Sequence, residues 1–410
     1  MTTVGVERRP LFDADFTRWY ASRSISVAGT AASAVALPLL VYRTSASPTL
    51  TAAVVGLEAL PYLLFGLFVG AAADRLNRRR MMVGADLACA LMLASVPVAD
   101  LLGLLTVWHV LAVAAGVGCG FCWFDSAAWG AFFRIVGKSG LTRANGIVWT
   151  TEVILGIAAP AAAGLLAAAT DPTAVLAVDA CTYLVSAALL AGMRTDLATA
   201  ARGARRRLRA EIAEGWRFLW GMPVVRTLVL AGFGLNLAVG GVLGLLVVHA
   251  DRALGIDPAD RRIGLLYAAG AVGSLVAALA LPRAVRRFGQ GAVSIGSFGV
   301  FVSAVAWLAG TATFAGALVA WTVWAAARLA VNANGITVRQ LLTPDEFQGR
   351  VNTTGRMVAW GGTPFGALLG GMAAGAYGVR VAYLLLAVPA AIGLVALLAS
   401  PVRGLRLPVD

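Results

Sequence analysis

The chain has 410 residues, 60% of them hydrophobic and only 13% charged, with a mean hydropathy of +0.82, which excludes a string of ordinary soluble domains. A net charge of +13 would suit a nucleic-acid partner in a soluble protein. Here the basic residues sit in short clusters between long apolar runs, the pattern of membrane topology, so no nucleic-acid partner is expected. The cysteines (Cys89, Cys119, Cys122, Cys181) all fall inside apolar runs, which argues against a disulfide framework.

Residues 1–16 carry Asp13 and Asp15 and no small-residue cleavage site, and so read as a cytoplasmic tail rather than a signal peptide. A bilayer core needs about 20 apolar residues per helix, and runs of that length predict twelve spans. Six precede residue 194: Thr17–Tyr42, Thr49–Ala73, Met81–Leu102, Thr106–Gly130, Asn145–Thr170 and Thr173–Met193. Six follow: Val224–Ala250, Ile263–Leu281, Gly291–Gly310, Thr311–Asn334, Thr354–Tyr377 and Val381–Ser400. Turn-forming or charged segments such as Asp74 to Arg80 and Asp171-Pro172 break them. The predicted fold is therefore all-α, with bundles over 17–193 and 224–400, a linker over 194–223 and a tail over 401–410. Within the linker, Leu208 to Leu219 has apolar residues at helical spacing, as in an amphipathic helix on an anionic leaflet.

Arg and Lys set the orientation. About 26 of the 33 basic residues fall on the side of the termini, five on the other (Arg43, Arg252, Arg261, Arg262, Arg380), and two, Arg23 and Arg328, within spans. Both termini are thus expected in the cytoplasm. An internal repeat supports two related halves: Gly56 to Arg79 aligns with Gly264 to Arg287 at a constant offset, with Arg75, Arg78 and Arg79 falling on Arg283, Arg286 and Arg287. A second echo pairs Arg143-Ala144-Asn145 with Arg350-Val351-Asn352. Parallel six-span repeats point to a secondary transporter with its substrate near the midplane between the halves.

The segment Gly70-Ala-Ala-Ala-Asp74-Arg75-Leu-Asn-Arg78-Arg79-Arg80, between the second and third spans, resembles the loop signature of the major facilitator superfamily. Leu141-Thr-Arg143-Ala-Asn145, Glu214-Gly-Trp-Arg-Phe-Leu and Pro344-Asp-Glu-Phe-Gln-Gly349-Arg350-Val351 resemble its exporter branch of bacterial siderophore and macrolide efflux carriers. The resemblance implies the two-bundle fold, transport by alternating access, a monomer, and a cytoplasmic gate at Gly70, Asp74, Arg75, Arg78 and Arg79. Physically, a glycine permits close helix approach, and a carboxylate beside an arginine gives a charge pair that forms in one conformation and breaks in another. The second-half copy has Pro282 where the first has Asp74, and the fourth span lacks the arginine usual in the family's drug exporters, which weakens a proton-antiport reading. Gly156, Pro160 and Gly164 loosely resemble the glycine-proline motif of antiporter fifth helices and form a candidate pivot.

An ionisable group within a span costs at least ~2.5–3.5 kcal/mol and is a functional hypothesis by default. Every carboxylate so placed lies in the first half: Glu58, Asp86, Asp125, Glu152 and Asp179. The fold implied by the resemblance makes the third and sixth spans peripheral, which demotes Asp86 and Asp179 and leaves Glu58, Asp125 and Glu152 on the cavity as proton carriers. Arg328 faces them from the tenth span, as a partner for an anionic group or a first-half carboxylate. Trp123, Trp324 and Trp360 are candidates to stack on a flat or apolar substrate.

Only His109 and His249 occur, and no Gly-Lys-Ser/Thr phosphate loop, so neither a metal, a cofactor nor ATP-driven transport is expected. The sequence reads as a non-enzymatic, proton-coupled exporter of an amphipathic small molecule in a bacterial cell membrane. An importer or lipid mover of the same fold, and a membrane enzyme or sensor that kept the fold without transport, remain alternatives.

Overall fold

A computed structural model of the chain describes residues 13–73, 75–197, 216–258, 260–344 and 348–407. The first half runs α1 (Ala14–Ser45), α2 (Pro48–Ala73), α3 (Arg78–Leu101), α4 (Val107–Ala169) and α5 (Pro172–Ala191). α4 is two spans in one: Gly137, at φ 68° and ψ 169°, breaks it into legs over Val107–Gly137 and Arg143–Ala167. Only glycine adopts that conformation without strain. The second half runs α6 (Pro223–Gly244), a short α7 (Leu246–Leu254), α8 (Arg262–Phe288), α9 (Gln290–Gly310), α10 (Phe314–Leu342), α11 (Gln348–Trp360), α12 (Gly362–Tyr377) and α13 (Val379–Leu398).

Among the described residues, 11 helical segments are long and apolar enough to cross a bilayer. α11 and α12, on either side of Gly361, make the twelfth crossing of the predicted two-bundle architecture. Helices are required because backbone groups in hydrocarbon must be satisfied within the segment. Starts are capped as the sequence suggests: the Asp13 carboxylate accepts from the Phe16 amide at 2.7 Å, and Thr106 and Thr313 accept from His109 and Gly316. The internal repeat is structural too, since both copies occupy the second span of their half and its terminal-side end, in α2 and α8. Positions 208–215 of the predicted amphipathic helix lie outside the described residues.

Twelve crossings put the ends of α1 and α13 on one face, the terminal face, with the distal face opposite. The halves meet at the distal face. Tyr42 donates to Asp251 at 2.5 Å, Arg43 to the Pro258 carbonyl at 3.1 Å, Arg252 to the Ala46 carbonyl at 3.2 Å and Thr49 to the Gly371 carbonyl at 3.1 Å. Below them the second leg of α4 crosses α8 glycine to glycine: a Cβ on Gly164 would lie 2.3 Å from the Gly264 Cα. Small residues are what let two backbones come this close in lipid.

Candidate functional site

The inner surface between the halves carries a charged cluster. Arg23 of α1 donates through Nε to Glu152 at 2.5 Å and through Nη2 to Asp125 at 3.3 Å. Asp125 also accepts from the Trp129 indole at 3.1 Å, and Arg23 lies 5.1 Å from that ring's centroid. From the second half, Arg356 of α11 reaches the other Asp125 oxygen at 3.7 Å. Its guanidinium also contacts the Tyr62 hydroxyl and stands over the rings of Tyr62 and Trp360, at 5.0 and 5.4 Å. Counting 1.5 Å per residue from the terminal-face ends of their helices, these groups lie roughly 12–18 Å into the membrane.

Local packing fixes this arrangement. Tyr20, one turn before Arg23, hydrogen-bonds Thr151 at 2.5 Å, which sets α1 in register with the second leg of α4. Trp129 packs edge-on against Phe132 and stacks on Trp149, at 5.8 and 6.1 Å. Two guanidinium and two carboxylate groups balance in charge, and this makes the cluster tolerable at low dielectric. Removing one member of such a pair costs about 3–5 kcal/mol. Arg23 and Asp125 are buried, with side-chain exposures of 9% and 7%, whereas Arg356 keeps 35%. The contact between halves is thus the solvated, breakable one.

Beside the cluster, within the second half, a narrow cleft is lined by Asn236, Phe298, Asn332, Arg339, Arg356 and Trp360, among others. Arg356 and Trp360 belong to both cleft and cluster. The site is therefore amphipathic, with paired charges on one side and indole, phenol and aliphatic surface around them.

Several predicted residues come together here: Asp125, Glu152 and Trp360. Glu58 sits at the middle of α2 without a hydrogen bond or ion pair among the described residues, and the charge acting on it is another carboxylate's, Asp179. Two residues before Glu58, α2 crosses α12 where Gly56 faces the Pro364 carbonyl. Trp123 is 39% exposed and does not join the cluster. Trp324 contradicts its predicted stacking role. It is 1% exposed and packed on Trp321 at 4.6 Å, because this face of α10 turns against α9, where Phe301 lies 6.0 Å from its ring. Arg328 does not reach a first-half carboxylate; it lies over Trp324 at 5.6 Å, and its Nε has no partner.

At the loop signature, Asp74 lies outside the described residues. Arg75 is exposed, while Arg78 donates to the Gly130 carbonyl at 2.9 Å and Arg79 to the Met193 carbonyl at 2.5 Å, so the last two fasten the α2–α3 turn within the first half. The close-approach role expected of Gly70 fails, since a Cβ there would meet nothing within 4 Å. The last turn of α2 leaves that face uncovered. Within the candidate pivot only Gly164 is in tight contact; Gly156 faces open space and Pro160 is half-buried.

Sequence reasoning misses Tyr62, Trp129 and Arg356 and leaves Arg23 out of the site. Arg356 lies near the start of its span and so reads as one more basic residue of the terminal side. The spacing of Arg23 nine residues into α1, too deep for an interfacial residue, is the available signal.

The profile of the transmembrane secretion effectors of the major facilitator superfamily matches residues 8–407, nearly the whole chain. The chain belongs to this family. Its curated relatives are multidrug efflux pump Tap of Mycolicibacterium fortuitum, 33% identical over 50% of this chain and 51% of that one, and macrolide efflux protein A of Streptococcus pyogenes, 28% identical over 33% of each. The chain spans about half the length of Tap, and less of macrolide efflux protein A. Among solved structures, the nucleoside transporter NupG superposes with a TM-score of 0.75 at 11% identity, covering 95% of this chain and 99% of that one. A bacterial homologue of the human lysosomal transporter Spinster, inward-facing and unoccupied, gives 0.74 at 15%, covering 95% and 97%. At these identities the likeness shows the fold alone; the family match and the many apolar helices make the chain a multi-pass membrane protein.

Proposed function

We propose that this chain exports an amphipathic small molecule in exchange for protons, by rocking its two halves about the Arg23, Asp125, Glu152 and Arg356 cluster. The observation that carries this reading is a charge contact between halves, Asp125 to Arg356, set among Tyr62, Trp129 and Trp360 below a closed distal face. Cargo entering from the terminal face meets aromatic surface first and then competes with Asp125 for Arg356. Loosening that contact frees the halves to rock and the distal hydrogen bonds to part. The Arg and Lys bias supports a cytoplasmic terminal face, hence the direction of export in a bacterial cell membrane, and the named efflux relatives support the cargo class.

The proton belongs on Glu58. Asp125 and Glu152 share Arg23 as a counter-ion, whereas Glu58 has no cation to hold its charge among the described residues and stands near the α2–α12 crossing, where its charge state acts on both halves. The gate role of Asp74, Arg75, Arg78 and Arg79, the pivot at Gly164, the boundaries of the two bundles and a monomeric state are parts of the same proposal. Uptake of fluorescent amphipathic cations into inverted vesicles under an imposed proton gradient tests it. Glu58→Gln abolishes gradient dependence while cargo binding persists, and Glu152→Gln weakens binding itself. Gradient-driven uptake undiminished in Glu58→Gln would remove the proton from this residue.

A further inference from the structure

A second polar system lies inside the first half, away from the cavity. On α1, Ser22, Ser26, Gly29 and Ser33 recur at helical spacing along one face. Facing them on α5 are Asp179, Thr182 and Ser186, and on α3 is Asp86. Ser22 and Ser186 hydrogen-bond at 2.7 Å, and Ser186 donates to Asp86 Oδ2 at 2.5 Å. Thr182 donates to Asp179 Oδ1 at 2.8 Å, and Ser33 donates to Asp179 Oδ2. Both carboxyl groups are wholly buried, at 0% exposure, and Asp86 Oδ1 has no hydrogen-bond partner among the described residues.

No cation faces the pair among the described residues. From α3 comes Cys89, from α5 Tyr183, from α4 Cys119 and from α2 Glu58. Arg23, the buried base of α1, is engaged by Glu152 and Asp125. Two ionised carboxylates in this setting would carry two negative charges at low dielectric with no compensation, a cost no hydroxyl partner offsets. A carboxyl that holds a proton avoids that cost. A metal ion does not fit. A Cβ on Gly29 would already lie 1.9 Å from Asp179 Oδ1, and among the described residues no group of three side chains is placed to ligate a metal. Asp86 Oδ1 accepts a proton without displacing any hydrogen bond.

We propose that Asp86 and Asp179 form a proton-binding site sealed within the first bundle, separate from the cargo cavity and coupled to it through the charge that Asp179 presents to Glu58. The proton binds a carboxylate oxygen and leaves it with no other bond changed. Its presence or absence alters by one unit the charge behind the cavity carboxylate. The use made of this proton rests on the proton-coupled reading above; its existence does not.

Infrared spectroscopy of the full-length protein in lipid, with and without ¹³C-aspartate labelling, tests the site in the unmodified chain. The expected result is a carbonyl band of a protonated carboxylic acid at neutral pH that moves on aspartate labelling and disappears in Asp86→Asn or Asp179→Asn. Aspartates that are all ionised at neutral pH, or that become so when sodium is added, overturn the proposal. Coupling is read separately: each Asn variant moves the pH midpoint of gradient-driven uptake with cargo binding intact, and an unmoved midpoint in both overturns the link to Glu58. The band is present whether or not the protein transports, so its loss and a failure of the export reading are distinguishable.

Discussion

At Arg356 one side chain of the second half reaches a carboxylate and a phenol of the first, Asp125 and Tyr62. Arg356→Gln keeps the polar contact but removes the charge. Because Asp125 retains Arg23, folding survives, and cargo affinity is expected to change by about tenfold, or ~1.4 kcal/mol, the scale of one partly solvated charged contact; titration of cargo binding by fluorescence checks it. Arg328 poses the opposite case, a half-buried guanidinium whose shielded Nε has no partner, held by the Trp324 face without an ion pair among the described residues. Replacing an uncompensated buried charge by an apolar side chain of similar length is neutral or stabilising, so Arg328→Met raises the thermal melting point in detergent. A lowered melting point would show that its charge is compensated.

Glycines act at the level of elements, where two helices cross. The second leg of α4 and α8 touch through Gly164 and Gly264, and a methyl on either would sit within 3 Å of the other's backbone. Gly264→Val therefore destabilises the closed distal face by about 1–3 kcal/mol and shifts the population toward opening there. Labelling of a cysteine placed at Thr49 by a membrane-impermeant thiol reagent should accelerate. Gly70→Ala and Gly156→Ala face open space and are expected to fall within about ±0.5 kcal/mol of the parent in thermal unfolding. All three are glycines in apolar helices and look alike in sequence; the difference between them is what packs opposite.

Rocking is a property of the whole molecule, and its distal latch can be locked. A Cβ on Gly56 of α2 would lie 3.5 Å from the Ala367 Cβ of α12 across the halves, the spacing of a disulfide, so Gly56→Cys with Ala367→Cys locks the distal part of the seam. Oxidation should stop net uptake into inverted vesicles while cargo still binds from the terminal face, and reduction should restore it. Undiminished transport in the cross-linked protein would mean that the halves do not part at this face.

The twelve crossings, the parallel repeat, the break between spans near Gly137 and the membership of this family were all written in apolar run length, in charge clusters between runs and in the loop signature around Asp74. These are local or periodic features, and a bilayer forces them because a spanning segment must be helical and about 20 residues long. Asp125, Glu152 and Trp360 were legible as site residues because a polar group at depth in a span is costly enough to stand out. Which buried charge meets which was not legible. Arg23 pairs with residues 102 and 129 positions away, Arg356 comes to Asp125 from the other half, and Trp324 turns into the core instead of the cavity. The serine and glycine stripe of α1 showed its spacing in the sequence, but its meaning depended on Asp86 and Asp179 lying against it. Helix rotation and the packing of distant segments set such partnerships, and no local pattern encodes them.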